Sequence, residues 1–325
     1  MKNKSVLITG GAGFIGSHLV DQLIYEQPEK ITVVDNLFLG KDANLNQAIE
    51  RYPNLKIYHN DISQIDQLKE IIINESVDIV FNLAVIPLPA SLEKPAWTFS
   101  HNNDMSVSVC ELAREDAFQT LIHFSSSEAY GTSICGPMDE KHPLNGVTPY
   151  AASKAACDLL VLSYCRTFGI DASIIRPFNN YGPRQNEGSY AGLIPITVNR
   201  ILQGLPPVIF GDGKQTRDYL FVTDTARAAI DIYYNTNTRK EVLNIASGRE
   251  YSIVSLVELI SQYLGFSGTI LNDSDRPGDV RRHIANIYKA EDMIGFKPKV
   301  SLEEGLRITV DWYKSYFQEK SKAVE

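Results

Sequence analysis

The 325-residue sequence predicts an α/β protein, a doubly wound parallel sheet with a smaller, interleaved α/β domain. Three observations predict it. Short β-branched runs alternate with longer amphipathic stretches, the rhythm of a βαβ chain. A glycine-rich turn separates the first strand from the first helix. The alternation breaks at Pro177, where Gly and Pro recur as far as Gly213, and it partly returns at Tyr219 to Ile245.

In chain order, Ser5-Val6-Leu7-Ile8-Thr9 reads as a strand, Ile15 to Gln27 as a helix and Ile31-Thr32-Val33-Val34-Asp35 as a strand. A polar helical stretch, the strand Leu55-Lys56-Ile57-Tyr58 and a helix over Ile65 to Asn74 follow. Then come the strand Asp78 to Asn82, a long helix around Met105 to Asp116, the strand Leu121 to Ser125, a helix from Tyr150 to Phe168 and the strand Ala172 to Arg176. The sheet domain is expected over residues 1–176 with 218–246 returning to it, and the second domain over 177–217 and 247–325.

A composition of 44% hydrophobic, 22% charged and 10% aromatic residues is that of a packed globule and excludes disorder, collagen and coiled coil. No apolar run approaches the roughly 18 residues of a membrane helix, and the N-terminus enters its glycine turn after a short strand, so a cytoplasmic protein with no membrane contact is expected. The net charge of -8 offers no general basic field for nucleic acid. The 4 cysteines form no CxxC pair and suit reduced thiols, and the 6 histidines are scattered singly, so no metal site is expected.

Gly10-Gly11-Ala12-Gly13-Phe14-Ile15-Gly16 lies between a strand and a helix and fits GxGxxG. Glycines let the backbone approach a pyrophosphate, whose charge the helix N-terminus stabilises. Asp35 closes the second strand, where a carboxylate accepts from ribose hydroxyls and repels a 2′-phosphate, so the expected cofactor of this Rossmann-type unit is NAD rather than NADP. Asp61 follows the third strand and is either a turn aspartate or an adenine contact. Tyr150-Ala151-Ala152-Ser153-Lys154 opens a helix, and the i,i+4 spacing places the phenol and the ammonium on one face. A tyrosine, with an unperturbed pKa near 10, serves as a base near neutrality only where a cation favours its phenolate. Ser125-Ser126-Ser127-Glu128 and Arg176-Pro177-Phe178-Asn179 occupy the C-terminal ends of strands, where open α/β sheets bind ligands.

With these motifs, and with Asn82-Leu83-Ala84, Gln215-Thr216-Arg217-Asp218-Tyr219 and Arg276-Pro277-Gly278-Asp279, the chain resembles the extended short-chain dehydrogenases/reductases that epimerise, dehydrate or decarboxylate nucleotide sugars. The resemblance implies a tightly held NAD that accepts a hydride from C4 of the sugar. It implies Tyr150 as the base, Lys154 beside it and Ser126 on the same oxygen, with Ser127 and Glu128 completing the catalytic set. It implies cofactor contacts from Gly10, Gly13, Phe14, Ile15, Gly16, Asp35, Asn36, Asp61, Ile62, Leu83, Ala84, Ser125 and Pro177, besides Tyr150 and Lys154. Asn179, Leu193 and the arginines Arg184, Arg217 and Arg276 are the implied substrate contacts, guanidinium forks suiting a diphosphate. Val208 and Phe210 are either a wall for the nucleotide base or part of a buried edge strand, and Asn179 is a turn cap in the alternative reading. A homodimer through the tyrosine helix and the long helix before it is also implied.

A C4 ketone opens three outcomes: hydride return to the other face gives a 4-epimer, loss of the C5 proton with the C6 hydroxyl gives a 4-keto-6-deoxy sugar, and a C6 carboxylate leaves as carbon dioxide. Only the second demands a further protein base. Glu128 directs the first expectation to a 4,6-dehydratase of a UDP- or GDP-hexose. Ser127 stands where dTDP-glucose dehydratases carry an aspartate, so Glu128 alone would act as base and acid. The alternatives are a 4-epimerase, a glucuronate-type decarboxylase with Arg281, Arg282 or His283 on the carboxylate, a Glu128 that only orients Tyr150 or the cofactor, and a non-catalytic scaffold that binds NAD and a sugar nucleotide.

Overall fold

A computed structural model describes residues 1–188, 190–275 and 278–322. Six strands, β1 (Ser5–Thr9), β2 (Lys30–Val34), β3 (Leu55–Tyr58), β4 (Ile79–Asn82), β5 (Thr120–Phe124) and β6 (Ala172–Pro177), join a seventh, Val242–Ile245, in one parallel sheet. From the seventh strand the order runs β6, β5, β4, β1, β2, β3. Side chains of β1, β4 and β5 are buried along their whole length, as strands covered on both faces require. The chain winds outward in both directions from β1 and β4, and the crevice at their C-terminal ends is the topological switch point where such sheets bind ligands.

The helices are α1 (Phe14–Tyr25), α2 (Asn46–Arg51), α3 (Ile65–Asn74), α4 (Leu88–Glu93), α5 (Pro95–Arg114) and α6 (Pro149–Thr167), followed by others beyond β6. Helix α5 begins ten residues before the expected Met105, because its first turns, from Pro95 at the N-terminus through Ser100 to Asp104, are too polar to show an apolar stripe. The Thr148 hydroxyl caps α6 by accepting from the Ala151 amide at 3.1 Å, and Pro149 takes the first position, where no amide is needed. The cap fixes the turn on which Tyr150 sits.

Beyond Pro177, besides Val242–Ile245, the strands form three two-stranded pairings: Asn179–Tyr181 with Tyr219–Phe221, Thr216–Arg217 with Tyr251–Ser252, and Val208–Phe210 with Leu271–Asp273. Tyr181, Tyr219 and Phe221 pack with Leu256, Ile260 and Leu306 in a second core. The helix Val222–Tyr234 returns to the first core through Ala226, Ala229 and Ile230. Among the described residues no helix is long and apolar enough to cross a membrane.

Candidate active site

Gly10 bridges β1 to the turn before α1 with a left-handed backbone, φ +66°, and a Cβ there would meet the Ala84 amide nitrogen at 2.9 Å. A Cβ on Gly16 would lie 2.2 Å from the Gly10 carbonyl oxygen, so these two positions admit only glycine. Gly13 is different: it lines the cleft, and a Cβ would meet only that carbonyl, at 3.1 Å. Its missing side chain leaves space on the cleft side. Gly13 is also the N-cap of α1, with no side chain bonded to the cap and no acidic residue in the first turn. The amides of that turn are therefore free for an anion.

At the end of β2 the buried Asp35 carboxylate accepts from the amides of Ala12, at 3.0 Å, and Leu37, at 2.9 Å. Burial raises its pKa against the pull of those two amides. Lys41, the nearest cation in sequence, is held 2.7 Å from Glu187. On the other side of β1, the buried Thr9 hydroxyl donates to Asn82 at 2.7 Å and accepts from the amides of Leu83 and Ala84. The Asn82 amide in turn donates to Nδ1 of His123 at 3.0 Å, a contact that only a neutral imidazole accepts; burial and the Lys154 charge push His123 down to about 3. This chain of contacts locks β1, β4 and β5 together beneath the cleft.

All the expected cofactor residues line this one cleft except Asp61. Asp61 is instead bonded to His101 at 2.9 Å, Asn36 at 3.1 Å and the Ser63 amide at 2.9 Å, while its neighbours Asn60 and Ile62 face the cleft. The sequence reading missed Val85, Ile86 and Pro87, whose position directly after Ala84 was a usable signal. It also missed Phe38 and Tyr190, whose rings stack with centroids 5.9 Å apart and an interplanar angle of 19°. They come from distant segments, and no local pattern announces that pairing.

Opposite the glycine turn, Ser125, Ser126, Tyr150, Lys154 and Pro177 line the same cleft. The Ser126 hydroxyl accepts from the Glu128 amide at 3.2 Å, capping the short turn Ser127–Tyr130, and lines the cleft together with the Tyr150 phenol. Burial pushes Tyr150 up to about 12, Ser126 opposes the rise, and the Glu128 charge adds to it. Without a further cation the phenol is protonated at neutral pH. The Lys154 ammonium donates to the Phe124 carbonyl at 2.6 Å, with Asp158 as its carboxylate neighbour, and burial lowers its pKa.

Glu128 and Ser127 lie outside the lining of the cleft. Burial raises the Glu128 carboxyl, with Arg217 pulling down and Asp279 pushing up, and its Oε1 stands 4.0 Å from His283 Nδ1. Ser127 has no acidic function to lend and is buried, its carbonyl 3.1 Å from Nε2 of His283. Of the expected phosphate cations, Arg184 and Arg217 lie outside the lining of this cleft. Arg184 is paired with Asp21 of α1 at 2.7 Å, and Arg217 is bound to Asp279 and, at 2.6 Å, to the Val280 carbonyl. Arg276 lies outside the described residues. Asn179, half-buried, has an enclosed Nδ2 without a partner, whereas its neighbour Asn180 lines the cleft. Leu193 starts the helix Leu193–Leu202 behind Gly192, and Val208 and Phe210 sit half-buried in the strand paired with Leu271–Asp273. Arg281 and Arg282, the candidates for a sugar carboxylate, are exposed and paired with Asp212 and Glu250 at 2.7 Å.

A family model described as GDP-mannose 4,6 dehydratase matches residues 7–309. A UDP-N-acetylglucosamine 4-epimerase from Methanobrevibacter ruminantium, solved with UDP-N-acetylmuramic acid, superposes with a TM-score of 0.89 at 38% identity over 97% of this chain and 100% of its own. DesIV, a dTDP-glucose 4,6-dehydratase from Streptomyces venezuelae solved with NAD bound, superposes with a TM-score of 0.90 at 31% identity over 96% of this chain and 97% of its own. A dTDP-glucose 4,6-dehydratase from an Actinoplanes species is 33% identical over 320 residues, 95% of this chain and 98% of that protein.

Proposed function

The chain belongs to the nucleotide-sugar epimerase/dehydratase family of extended short-chain dehydrogenases/reductases, and from that premise we propose that it is an NAD-dependent 4,6-dehydratase of a UDP- or GDP-linked hexose. The cleft fits NAD. The free amides of the first α1 turn and the open space at Gly13 would take the pyrophosphate, and Asp35 the adenosine ribose. When bound, NAD supplies a hydride acceptor at C4 of the sugar and returns the hydride at C6. Tyr150 takes the proton of the C4 hydroxyl, with Ser126 holding the same oxygen, and the cationic nicotinamide favours the phenolate that burial alone disfavours. Glu128 takes the proton from C5, made acidic by the C4 ketone, and gives it to the departing C6 hydroxyl, and a proton from solvent restores the C5–H bond once the hydride has reached C6.

The observation that carries this reading is Glu128 itself, a half-buried carboxyl on the turn directly after Ser126, whose hydroxyl accepts from the Glu128 amide. Decarboxylation is less well served, because Arg281 and Arg282 are committed to surface partners. A second reading, 4-epimerisation, is favoured by the lone acid: Ser127 supplies no second carboxyl, and the 38%-identical neighbour is named an epimerase. Mass spectrometry of products from UDP-glucose, UDP-N-acetylglucosamine, GDP-mannose and dTDP-glucose separates the readings. Loss of water supports dehydration, an isomer of unchanged mass supports epimerisation, loss of carbon dioxide from UDP-glucuronate incubated alongside them supports decarboxylation, and no turnover of any of these supports the scaffold.

A homodimer through α5 and α6 is part of the same proposal. The two helices pack on each other and leave Trp97, Phe99, Val107 and Leu159 exposed. Light scattering at the mass of one chain, 36.3 kDa, would overturn it.

A further inference from the structure

Sequence offered His283 as a holder for a sugar carboxylate, but both of its ring nitrogens have other neighbours. The segment that carries it is fixed on both sides. Ser133 donates its amide to the Arg282 carbonyl at 3.0 Å, Met138 to the Ile284 carbonyl at 2.9 Å, and the Ala285 amide donates to the Asp218 carboxylate at 3.2 Å. The ring is fully buried, and Nε2 lies 3.1 Å from the Ser127 carbonyl oxygen. A carbonyl only accepts, so the ring proton is on Nε2. Nδ1 then presents a lone pair, has no hydrogen-bond partner, and stands 4.0 Å from Glu128 Oε1. Burial and the Arg217 charge push the imidazole down to about 3, Ser127 opposing and His142 adding, so it stays neutral throughout the working range. The charged and titratable groups around Glu128 are Arg217, Asp279, Tyr150 and this histidine.

We propose that His283 is a positioning residue for Glu128, its Nδ1 lone pair being the acceptor toward which the protonated carboxyl turns between the two proton transfers of dehydration. The proposal rests on the dehydratase reading. In the first transfer the C5–H bond breaks, the proton passes to Glu128, and the electron pair forms the enolate of the C4 ketone. In the second the enolate reforms the ketone, the C5–C6 double bond forms, and the C6–O bond breaks with its electrons on oxygen. The Glu128 proton completes the departing water. Glu128 begins and ends as a carboxylate, and with Ser127 in place of a second acid it keeps one proton between the two events. A fixed lone pair beside it favours the acid form and offers the carboxylate no hydrogen bond; an imidazolium would do the reverse.

Two substitutions divide the ring's functions. His283→Gln keeps an amide donor for the Ser127 carbonyl and removes the acceptor at Nδ1, whereas His283→Asn keeps an acceptor near Nδ1 and gives up Ser127. In holoenzyme labelled with carboxyl-¹³C glutamate, the Glu128 signal is the one lost in Glu128→Gln, and its titration reads the coupling without any substrate. His283→Gln should lower the Glu128 midpoint by about one pH unit, a tenfold change in protonated fraction, with His283→Asn near wild type. An unchanged midpoint in His283→Gln, or a shift confined to His283→Asn, overturns the proposal, the second result assigning the ring to Ser127 alone. Should His283→Gln not fold, the wild-type ¹⁵N-histidine spectrum still decides, because a proton on Nδ1 of His283 at pH 7 also overturns it. With whichever of the four sugar nucleotides the wild type dehydrates, the acid limb of kcat should move down with the Glu128 midpoint in His283→Gln while KM is unchanged. A wild type that only epimerises, without solvent exchange at C5, removes the dehydratase reading and the proton-holding role with it, whereas the glutamate titration reports the coupling separately.

Discussion

Lys154 and Phe124 are joined by a 2.6 Å hydrogen bond from the buried ammonium to the last carbonyl of β5, which ties α6 to the strand end that carries Ser125 and Ser126. The bond sets the depth of α6 against the sheet and so the place of Tyr150 beside Ser126. Removing it would leave a buried carbonyl unpaired. Lys154→Met is therefore expected to lower both thermal stability and turnover, whereas a lysine acting only through charge would affect turnover alone; calorimetry and rate measurement on the same preparation separate the two.

Tyr150→Phe should cost roughly 10²- to 10⁴-fold in rate, the usual contribution of a general base, and leave folding and sugar-nucleotide binding nearly unchanged. A variant retaining more than about a tenth of the wild-type rate would require another C4 base. Because burial pushes Tyr150 up to about 12, the wild-type minus Tyr150→Phe difference spectrum of cofactor-free protein should show no phenolate at pH 8. Phenolate should appear on saturation with NAD.

Glu128→Gln should still allow oxidation at C4, since Tyr150 and Ser126 remain, but should block removal of the C5 proton. The reduced-nicotinamide absorbance would then persist after mixing with substrate, and solvent deuterium would no longer enter C5. Substantial turnover of the variant would indicate a 4-epimerase, a reaction that never breaks the C5 bond.

NAD should bind more tightly than NADP, because Asp35 would face the 2′-phosphate and Lys41 is held by Glu187. Asp35→Ala should narrow the preference in paired titrations. Equal or tighter binding of NADP by the wild type would contradict the placement of Asp35.

His18, buried on α1 with Nε2 3.0 Å from the Pro183 carbonyl, is pushed down to about 4 by burial, Pro183 opposing and the Arg184 charge adding. The unfolded chain takes up this proton near pH 6.5 and the folded protein refuses it. The stability contribution is thus complete above pH 6.5 and is lost as pH falls toward 4. Relative to His18→Gln, which keeps a donor for Pro183, the wild type should lose about 2 kcal/mol between pH 7 and pH 5 in urea unfolding. An equal pH dependence of the two proteins would show that His18 accepts its proton within the fold.

The parallel sheet and the part of the cleft built from strand ends and the glycine turn were legible in the chain. Those features are local: a strand, its following turn and the next helix are adjacent in the chain, and ligand positions at strand ends follow from where each apolar run stops, as at Gly10, Asp35, Leu83 and Ser125. The polar first half of α5 was not legible, because among Pro95 to Ser100 only Thr98 is buried and no apolar stripe marks the helix there. The partners of the charged and titratable side chains emerge from the folded packing. It paired Arg184 with Asp21, Arg217 with Asp279, Asp61 with His101, and His283 with Ser127 and Glu128 across gaps in the chain that no periodicity spans. A guanidinium or imidazole takes its role from the charges and the burial around it, and both are properties of the folded packing rather than of neighbouring residues in the chain.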